Sequence, residues 1–552
     1  MSTVELVFLL IPVAAGIHIL AGRIGVPSPT LLVLGGLGLA FVPGLPRLQA
    51  DPTILFLTFI PPLLFYGAIT APWREFRLRF RPILSLAVFL VLVTMTVVAV
   101  VVHAVAPEFT WAAAFALGAI VSPPDPVAAV AVIRPLNVSR SIEGILQGEG
   151  LANDATALIA YNVAVTAAVT GAFSPGAAAV HLVVAAIGGI VIGLVIGLAL
   201  GWVFRVIARA PLTQNALSLI VPFTTYVTAD RLGMSGVLAV VAAGLVLSRE
   251  SSRHLSAEVR IQFESLWTLI NFVLESLIFI FIGLELPAVV GGLSHETLWT
   301  LVGVAAVVSA VCIGVRLVWA FPSAVFTRRD ERRAQPAAAA GIWRQVAFIG
   351  WAGMRGADSL VIALALPAVT LSGAPFPARA AIIVVTFGVI LATLVLQGFT
   401  MAPVARWLRL PGAGTRQNEI EEAKAWLAVS DAALAELAHA ADSTRGQPPA
   451  ARRTIVRLVG HYRRIRHRWQ RLIAAGPGDT TESAATRATV NREQDLQIAV
   501  LERARDAVLD LRDRAEIDDA ISAHVERYLD LESMLQNYPS LDVSETPFDS
   551  AE

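Results

Sequence analysis

Apolar residues fill most of the first 408 positions in long runs, separated by short polar stretches in which arginine recurs. Thirteen runs stand out, at roughly 4–21, 28–45, 52–70, 82–106, 110–133, 141–171, 179–208, 213–230, 234–249, 263–290, 298–327, 343–371 and 379–408. A helix crosses a bilayer in about 20 apolar residues. The pattern therefore predicts an all-α polytopic membrane protein of about thirteen transmembrane helices, several of them interrupted or amphipathic. The first run lacks a basic stretch before it and a small-residue cleavage site after it, so it reads as a retained span.

Beyond residue 408 the pattern changes. Pro411-Gly412-Ala413-Gly414 reads as a hinge. Ile420, Leu427, Leu434 and Leu437 form a helical seam, and 441–451 a linker. Leu458, Tyr462, Ile465, Trp469 and Leu472 then step by four and three on an arginine-rich helix, and a longer helical pattern runs over 490–535. The division expected is a membrane domain over 1–408 and a small cytoplasmic helical tail over 409–552. The arginine-rich helix can pair with the acidic last helix or rest on anionic lipid headgroups.

Charge sets the orientation. With the N-terminus outside, seventeen arginines fall on inside loops, among them Arg74, Arg77, Arg79 and Arg81, and three (Arg47, Arg231, Arg379) on outside loops. This bias predicts a multi-pass protein of the cell membrane with a cytoplasmic C-terminus, as an odd span count requires. The chain is 56% hydrophobic with a mean hydropathy of +0.69, which excludes an ordinary soluble protein. Its formal net charge is zero, which gives no sign of a nucleic-acid partner. A single cysteine, Cys312, excludes an intrachain disulfide and a cysteine-based metal site.

Span five contains Ser122-Pro123-Pro124-Asp125-Pro126. Prolines remove backbone donors and disfavour helix in the residue before, so this span must open in mid-membrane with a carboxylate at the break. Freed backbone groups survive there only where they line a protein-enclosed or wet cavity. Such a break with an ionisable residue points to an ion site in a secondary transporter. Span six carries Gln147-Gly148-Glu149-Gly150-Leu151-Ala152-Asn153-Asp154. Asn153 and Asp154 put a neutral and an acidic oxygen donor side by side, which suits a hard cation. If Asp154 packs near Asp125, the two carboxylates share a low-dielectric site and resist double ionisation. A site that is protonated or cation-bound, but rarely empty, is the physical basis of proton/cation exchange. In span twelve, Gly350-Trp351-Ala352-Gly353-Met354-Arg355-Gly356-Ala357-Asp358 places an arginine among glycines. Arg355 needs a carboxylate, Glu149 is the candidate, and the pair reads as structural.

These stretches, with Pro61-Pro62-Leu63-Leu64-Phe65 in span three and Gly233-Met234-Ser235-Gly236 before span nine, resemble the monovalent cation:proton antiporter-1 family, and within it the NhaP-type sodium/proton antiporters. The resemblance covers about 1–408. It implies thirteen spans built as inverted repeats, with spans five and twelve unwound where they cross. It implies a mobile core of spans 4–6 and 11–13, and a homodimer formed through spans 1–3 and 8–10. It makes Asp154 the essential aspartate, Asp125 the aspartate of the broken helix, Asn153 a structural asparagine and Glu149–Arg355 an ion pair. Pro124 and Ser122 would lie beside the cation. The activity implied is electroneutral exchange of one monovalent cation (Na+, or K+ or Li+) for one proton by alternating access, with no cofactor and no enzymatic reaction.

Three positions depart from the family pattern. Tyr66 stands where an acidic residue often follows the span-three motif, Gly150 where a serine is usual, and Pro124 where threonine is usual. Asp358 stands at a position that is usually apolar. It can pair with Arg355 along one helix face, or enter the ion site and replace a lost oxygen. Other charges carry less weight. Glu275 in span ten reads as interfacial or protonated rather than pathway-lining, and Arg316 in span eleven as snorkelling or paired. Asp230 and Glu285 lie at span ends, and His103 and His181 read as structural. A competing reading is a transporter-derived sensor or channel with the tail as output. An intramembrane aspartyl protease is disfavoured, because its Tyr-Asp and Gly-x-Gly-Asp motifs are absent.

Overall fold

The computed structural model describes residues 3–24, 27–42, 52–71, 77, 79–133, 138–207, 210–254, 257–291, 294–334, 342–410, 415–443 and 449–474, with scattered positions between 500 and 529. Arg47, Arg74, the 411–414 hinge, the 475–486 loop and most of the 490–535 helical pattern lie outside the described residues. The chain divides into two compact units, Met1–Gly414 and Thr415–Glu552. Among the described residues both are helical, and no β-strand occurs.

In the first unit the helices are α1 (Thr3–Ile24), α2 (Ser28–Leu39), α3 (Pro52–Thr70) and α4 (Phe80–Val105, with a π-helical turn at Ser85–Leu90). There follow α5 (Trp111–Val121), α6 (Pro126–Ile133), α7 (Arg140–Thr170), α8 (Pro175–Val206), α9 (Pro211–Arg231) and α10 (Gly236–His254). The last are α11 (Ala257–Val290), α12 (His295–Ala334), α13 (Ile342–Trp351), α14 (Ala357–Leu364) and α15 (Arg379–Trp407). Among the described residues, five helices are long and apolar enough to cross a membrane: α4, α8, α11, α12 and α15. Shorter apolar helices accompany them in α1, α2, α3 and α5.

Local chemistry sets several ends. Thr110 caps α5 by accepting from Ala113 N at 3.3 Å. Gly171, at φ 71°, ends α7 in the left-handed conformation that glycine tolerates. Arg379 donates to Leu366 O at 2.9 Å and to Leu364 O at 3.1 Å, closing the C-terminal end of α14.

The helices fall into two packed groups. In one, α11 lies against α1, α2, α3 and α9, and α8 against α10. In the other, α4, α5, α7, α12, α13 and α15 pack around the short helices α6 and α14. Between the groups, α14 touches α3 and α11, and α15 touches α2 and α11. Small residues let backbones meet. Gly36 of α2 lies on the Ile280 backbone of α11, and Gly283 of α11 lies on Val33 O and Leu37 N of α2.

In the second unit, α16 (Thr415–Ser443) and α17 (Pro449–Ala474) form a helical pair. Ala423, Ile465 and Trp469 are buried between them, with Leu427 and Tyr462 alongside. Arg466 pairs with Asp431 at 3.2 Å. Leu427, Tyr462, Ile465 and Trp469 of the expected seams lie at this contact, whereas Leu458 is exposed and Ala423, outside the expected seam, is buried.

The close approach of α2 and α11 yields a test. Gly283→Val forces the two backbones apart and lowers the melting temperature of detergent-purified protein, by about 1–3 kcal/mol of overpacking. Gly38→Ala, on the same helix pair but with open space at its Cβ position, leaves melting unchanged or slightly raised.

Candidate ion site

Two helices are broken, and the breaks meet. Between α5 and α6, residues 122–125 leave the helix, as three prolines in four positions demand. Between α13 and α14, residues 352–356 do the same around Gly353 and Gly356. Asp125 N donates to Met354 O at 2.7 Å, so one break is hydrogen-bonded to the other. A Cβ on Gly356 would collide with the Asp125 carboxyl group, so glycine is required for this approach.

Each break leaves carbonyls at one helix end and N–H groups at the other. Arginines meet the carbonyls. Arg355 Nε donates to Val121 O at 2.9 Å and its Nη2 to Ser122 O at 3.4 Å, at the C-terminal end of α5. It also donates to Gly353 O. Arg316 of α12 donates through Nε to Ile349 O at 3.2 Å and through Nη2 to Ala352 O at 3.3 Å, at the end of α13. Gln397 Nε2 adds a bond to Trp351 O at 2.8 Å. Aspartates stand at the other ends. Asp125 Oδ1 accepts from Ala128 N at 3.4 Å at the start of α6, and Asp358 lies in the first turn of α14. Positive groups at C-termini and negative groups at N-termini are the favourable pairing with the helix dipoles.

Glu149 does not pair with Arg355, contrary to expectation. Its carboxylate takes Arg316 in a two-pronged bridge, Nη1–Oε1 at 2.5 Å and Nη2–Oε2 at 2.8 Å. Both side chains are buried, at 1% exposure. The expectation assumed that a buried arginine needs a carboxylate. Arg355 is satisfied instead by carbonyls that the helix break sets free. Asp358 likewise makes no hydrogen bond or ion pair with Arg355 among the described residues. Arg316, read from the sequence as snorkelling or paired, is paired, and sequence reasoning missed only its partner. Its signal was a lone guanidinium inside the apolar run of span eleven.

Asn153 is fully buried and both ends of its amide are used. Nδ2 donates to Pro124 O at 2.8 Å and Oδ1 accepts from Asp154 N at 2.7 Å. It therefore clamps α7 to the α5–α6 break and has little capacity left for an ion. Asp154, Asp125 and Asp358 are partly exposed, whereas Asn153, Glu149 and Arg355 beside them are buried. The three carboxylates lie within electrostatic range of one another. No three His, Cys, Asp or Glu side chains converge to hold a metal ion among the described residues. Among the described residues the three aspartates are thus partly exposed and form no closed cage.

The remaining candidates make other contacts. Ser122 Oγ turns back to Ala119 O at 3.1 Å, and Pro124 is buried with its carbonyl on Asn153. Tyr66 is half-buried on α3, and no hydrogen bond joins its hydroxyl to the aspartates among the described residues. Gly150 packs against the ring of Pro126, where any Cβ would clash. A serine there would need α7 to move away from the break.

Removing one partner of a buried pair strands the other. Arg316→Ala should destabilise the detergent-purified protein by roughly 3–5 kcal/mol, seen as a large fall in melting temperature and yield. Replacing both partners with apolar residues, Arg316→Met with Glu149→Leu, should recover part of that loss. An Arg316→Ala protein as stable as the unmodified chain contradicts the assignment.

Comparison with known proteins identifies the family. A family model described as the transmembrane sodium/hydrogen exchanger matches residues 7–407. The chain is 33% identical over 525 residues to a Mycobacterium tuberculosis protein described as an uncharacterized Na(+)/H(+) exchanger, covering 94% of this chain and 93% of that one. It is 33% identical over 385 residues to a sodium, potassium, lithium and rubidium/H(+) antiporter of Bacillus subtilis, covering 67% of this chain and 56% of that protein. The solved structure of the sodium proton antiporter MjNhaP1 from Methanocaldococcus jannaschii at pH 8 matches in fold with a TM-score of 0.56 at 18% identity, covering 74% of this chain and 98% of that one. This chain is accordingly a multi-pass membrane protein and a member of the sodium/hydrogen exchanger family.

Proposed function

We propose that the protein exchanges a monovalent cation for a proton across the cell membrane by alternating access, one for one and without net charge movement. Na+ is the first candidate, with K+ and Li+ next. The observation that carries this reading is that Asp125 and Asp358 stand at the amino ends of the two touching helix breaks and Asp154 lies within electrostatic range of both. Carboxylates this close in a low-dielectric setting resist simultaneous ionisation. A bound proton and a bound cation are the two ways to relieve them, and they compete. Asp154 holds whichever is bound, Asp125 shares the site, and Asp358 supplies a further carboxylate. Glu149 is tied up by Arg316 and takes no ion.

A ligand moves an equilibrium only through different affinities for its states. The site must therefore bind in two arrangements, one open to each side. The two helix groups offer the parts: the group holding the breaks moves against the group built on α11. In the membrane we place thirteen crossings, with the N-terminus outside, residues 409–552 as a cytoplasmic regulatory tail, and two copies paired as a homodimer. Arginines concentrated on alternate loops support the orientation. The Bacillus subtilis relative, by its printed name, takes several alkali cations, which supports keeping K+ and Li+ beside Na+.

The test is dequenching of a pH dye in proteoliposomes under a proton gradient, with Na+, K+ or Li+ added in turn. Dequenching by at least one cation, lost in Asp154→Asn with unchanged yield, is the expected result. Full exchange in that variant removes Asp154 from the site. Silence with all three cations, from well-folded protein, moves the protein to the sensor reading. Asp358→Asn should weaken the apparent affinity for the cation by about tenfold. An unchanged affinity makes Asp358 only a helix-terminus charge.

A further inference from the structure

Glu275 lies midway along α11, in the helix group opposite the broken helices. Asn271, Glu275, Ile278, Ile282 and Glu285 recur at steps of four and three, so they share one face of α11. The outer part of that face lines a narrow cleft. Ile278, Ile282 and Glu285 meet Phe59 of α3 there, with Leu360 and Val361 of α14 across from them. The cleft is almost wholly apolar, with one carboxylate, Glu285, in its lining.

The other end of the cleft is different. Glu275 is one turn before Ile278 on α11, and Asp358 is one turn before Val361 on α14. The Glu275 carboxylate is half-buried and interacts electrostatically with Asp125 and Asp358. Asn271 Nδ2 donates to its Oε2 at 3.2 Å, fixing the carboxylate from below. Its Oε1 has no hydrogen-bond partner among the described residues. No arginine bridges Glu275 to Asp358 among the described residues. Sequence reasoning set Glu275 apart from the pathway, yet the fold places it across the helix-group boundary from the site.

An acidic side chain on an apolar helix, facing the Asp358 carboxylate, is costly unless something positive stands between them. The Arg316 and Arg355 guanidiniums are already committed to Glu149 and to helix-end carbonyls. We propose that Glu275 is a cation-binding residue contributed by the opposite helix group: with Asp358 it holds the transported alkali cation at the inner end of the cleft, between the cleft and Asp154. This inference rests on the exchange reading above. It adds that the cation is touched from both groups, so that their relative movement makes or breaks its coordination.

The test compares the unmodified chain with Glu275→Gln, Glu275→Asp and the double variant Glu275→Gln with Asp358→Asn. Two readouts are used: cation dependence of exchange in proteoliposomes, and direct binding of radiolabelled Na+ or Rb+ to purified protein. In Glu275→Gln the apparent KM and the binding constant should both rise by about tenfold, a larger change than any fall in maximal rate. Glu275→Asp should return most of that affinity. If both residues hold one cation, the double variant should lose less than the product of the two single losses. Unchanged cation affinity in Glu275→Gln overturns the proposal. So does a fall in rate alone that Glu275→Asp shares, since that marks a packing role. If the unmodified chain binds cation but does not exchange it, the exchange reading fails while the binding comparison still decides the role of Glu275. If it binds neither cation, both fail.

Discussion

Backbone groups freed inside a membrane have no water to turn to, and this chain frees them at two places that touch. The prolines of 123–126 and the glycines of 353–356 end four helix segments within one small volume. Satisfying those ends dictates where charge must go. Arg355 covers the carbonyl end of α5, Arg316 that of α13, and Asp125 and Asp358 stand at the amino ends of α6 and α14. Glu149 then has to neutralise Arg316, and Asn153 has to hold α7 against the Pro124 carbonyl. The chemistry of the site follows from repairing the broken helices.

That repair has a by-product. Both arginines are spent on carbonyls and on Glu149, leaving Asp154 to share its space with Asp125 and Asp358. A cluster of this sign relaxes by taking up a proton or a cation. On the proposed reading, exchange needs no separate catalytic group, only competition for one place and a fold able to present it to either side. The same logic extends to Glu275, which adds a carboxylate from the helix group that does not carry the breaks.

Much of this was legible in the residues. Three prolines in four positions announce a break in an apolar run, whereas Pro61, Pro62, Pro222 and Pro403 stay inside continuous helices, and an adjacent Asn153-Asp154 pair inside a span announces a polar contact. The buried seam of the tail, with Ile465 and Trp469, was visible as helical spacing. What the sequence could not disclose was partnership across the fold. The glycine-flanked Arg355 looked like the partner of Glu149, and only the crossing shows that Arg316 meets Glu149 while Arg355 meets the Val121 and Ser122 carbonyls. Gly150 looked like a lost hydroxyl ligand. In the fold it is the space into which the Pro126 ring fits. Glu275 looked peripheral because its distance from Asp125 depends on how α11 meets α14. Charge partnerships that depend on long-range packing stay hidden where local rules, such as helix breaking, do not reach.

The central claim is that cation and proton compete for Asp154. The most direct measurement follows proton release when Na+, K+ or Li+ is added to detergent-purified protein in weak buffer with a pH indicator. The account predicts about one proton released for each cation bound, and none from Asp154→Asn. Cation binding without proton release, or release undiminished in that variant, would contradict it.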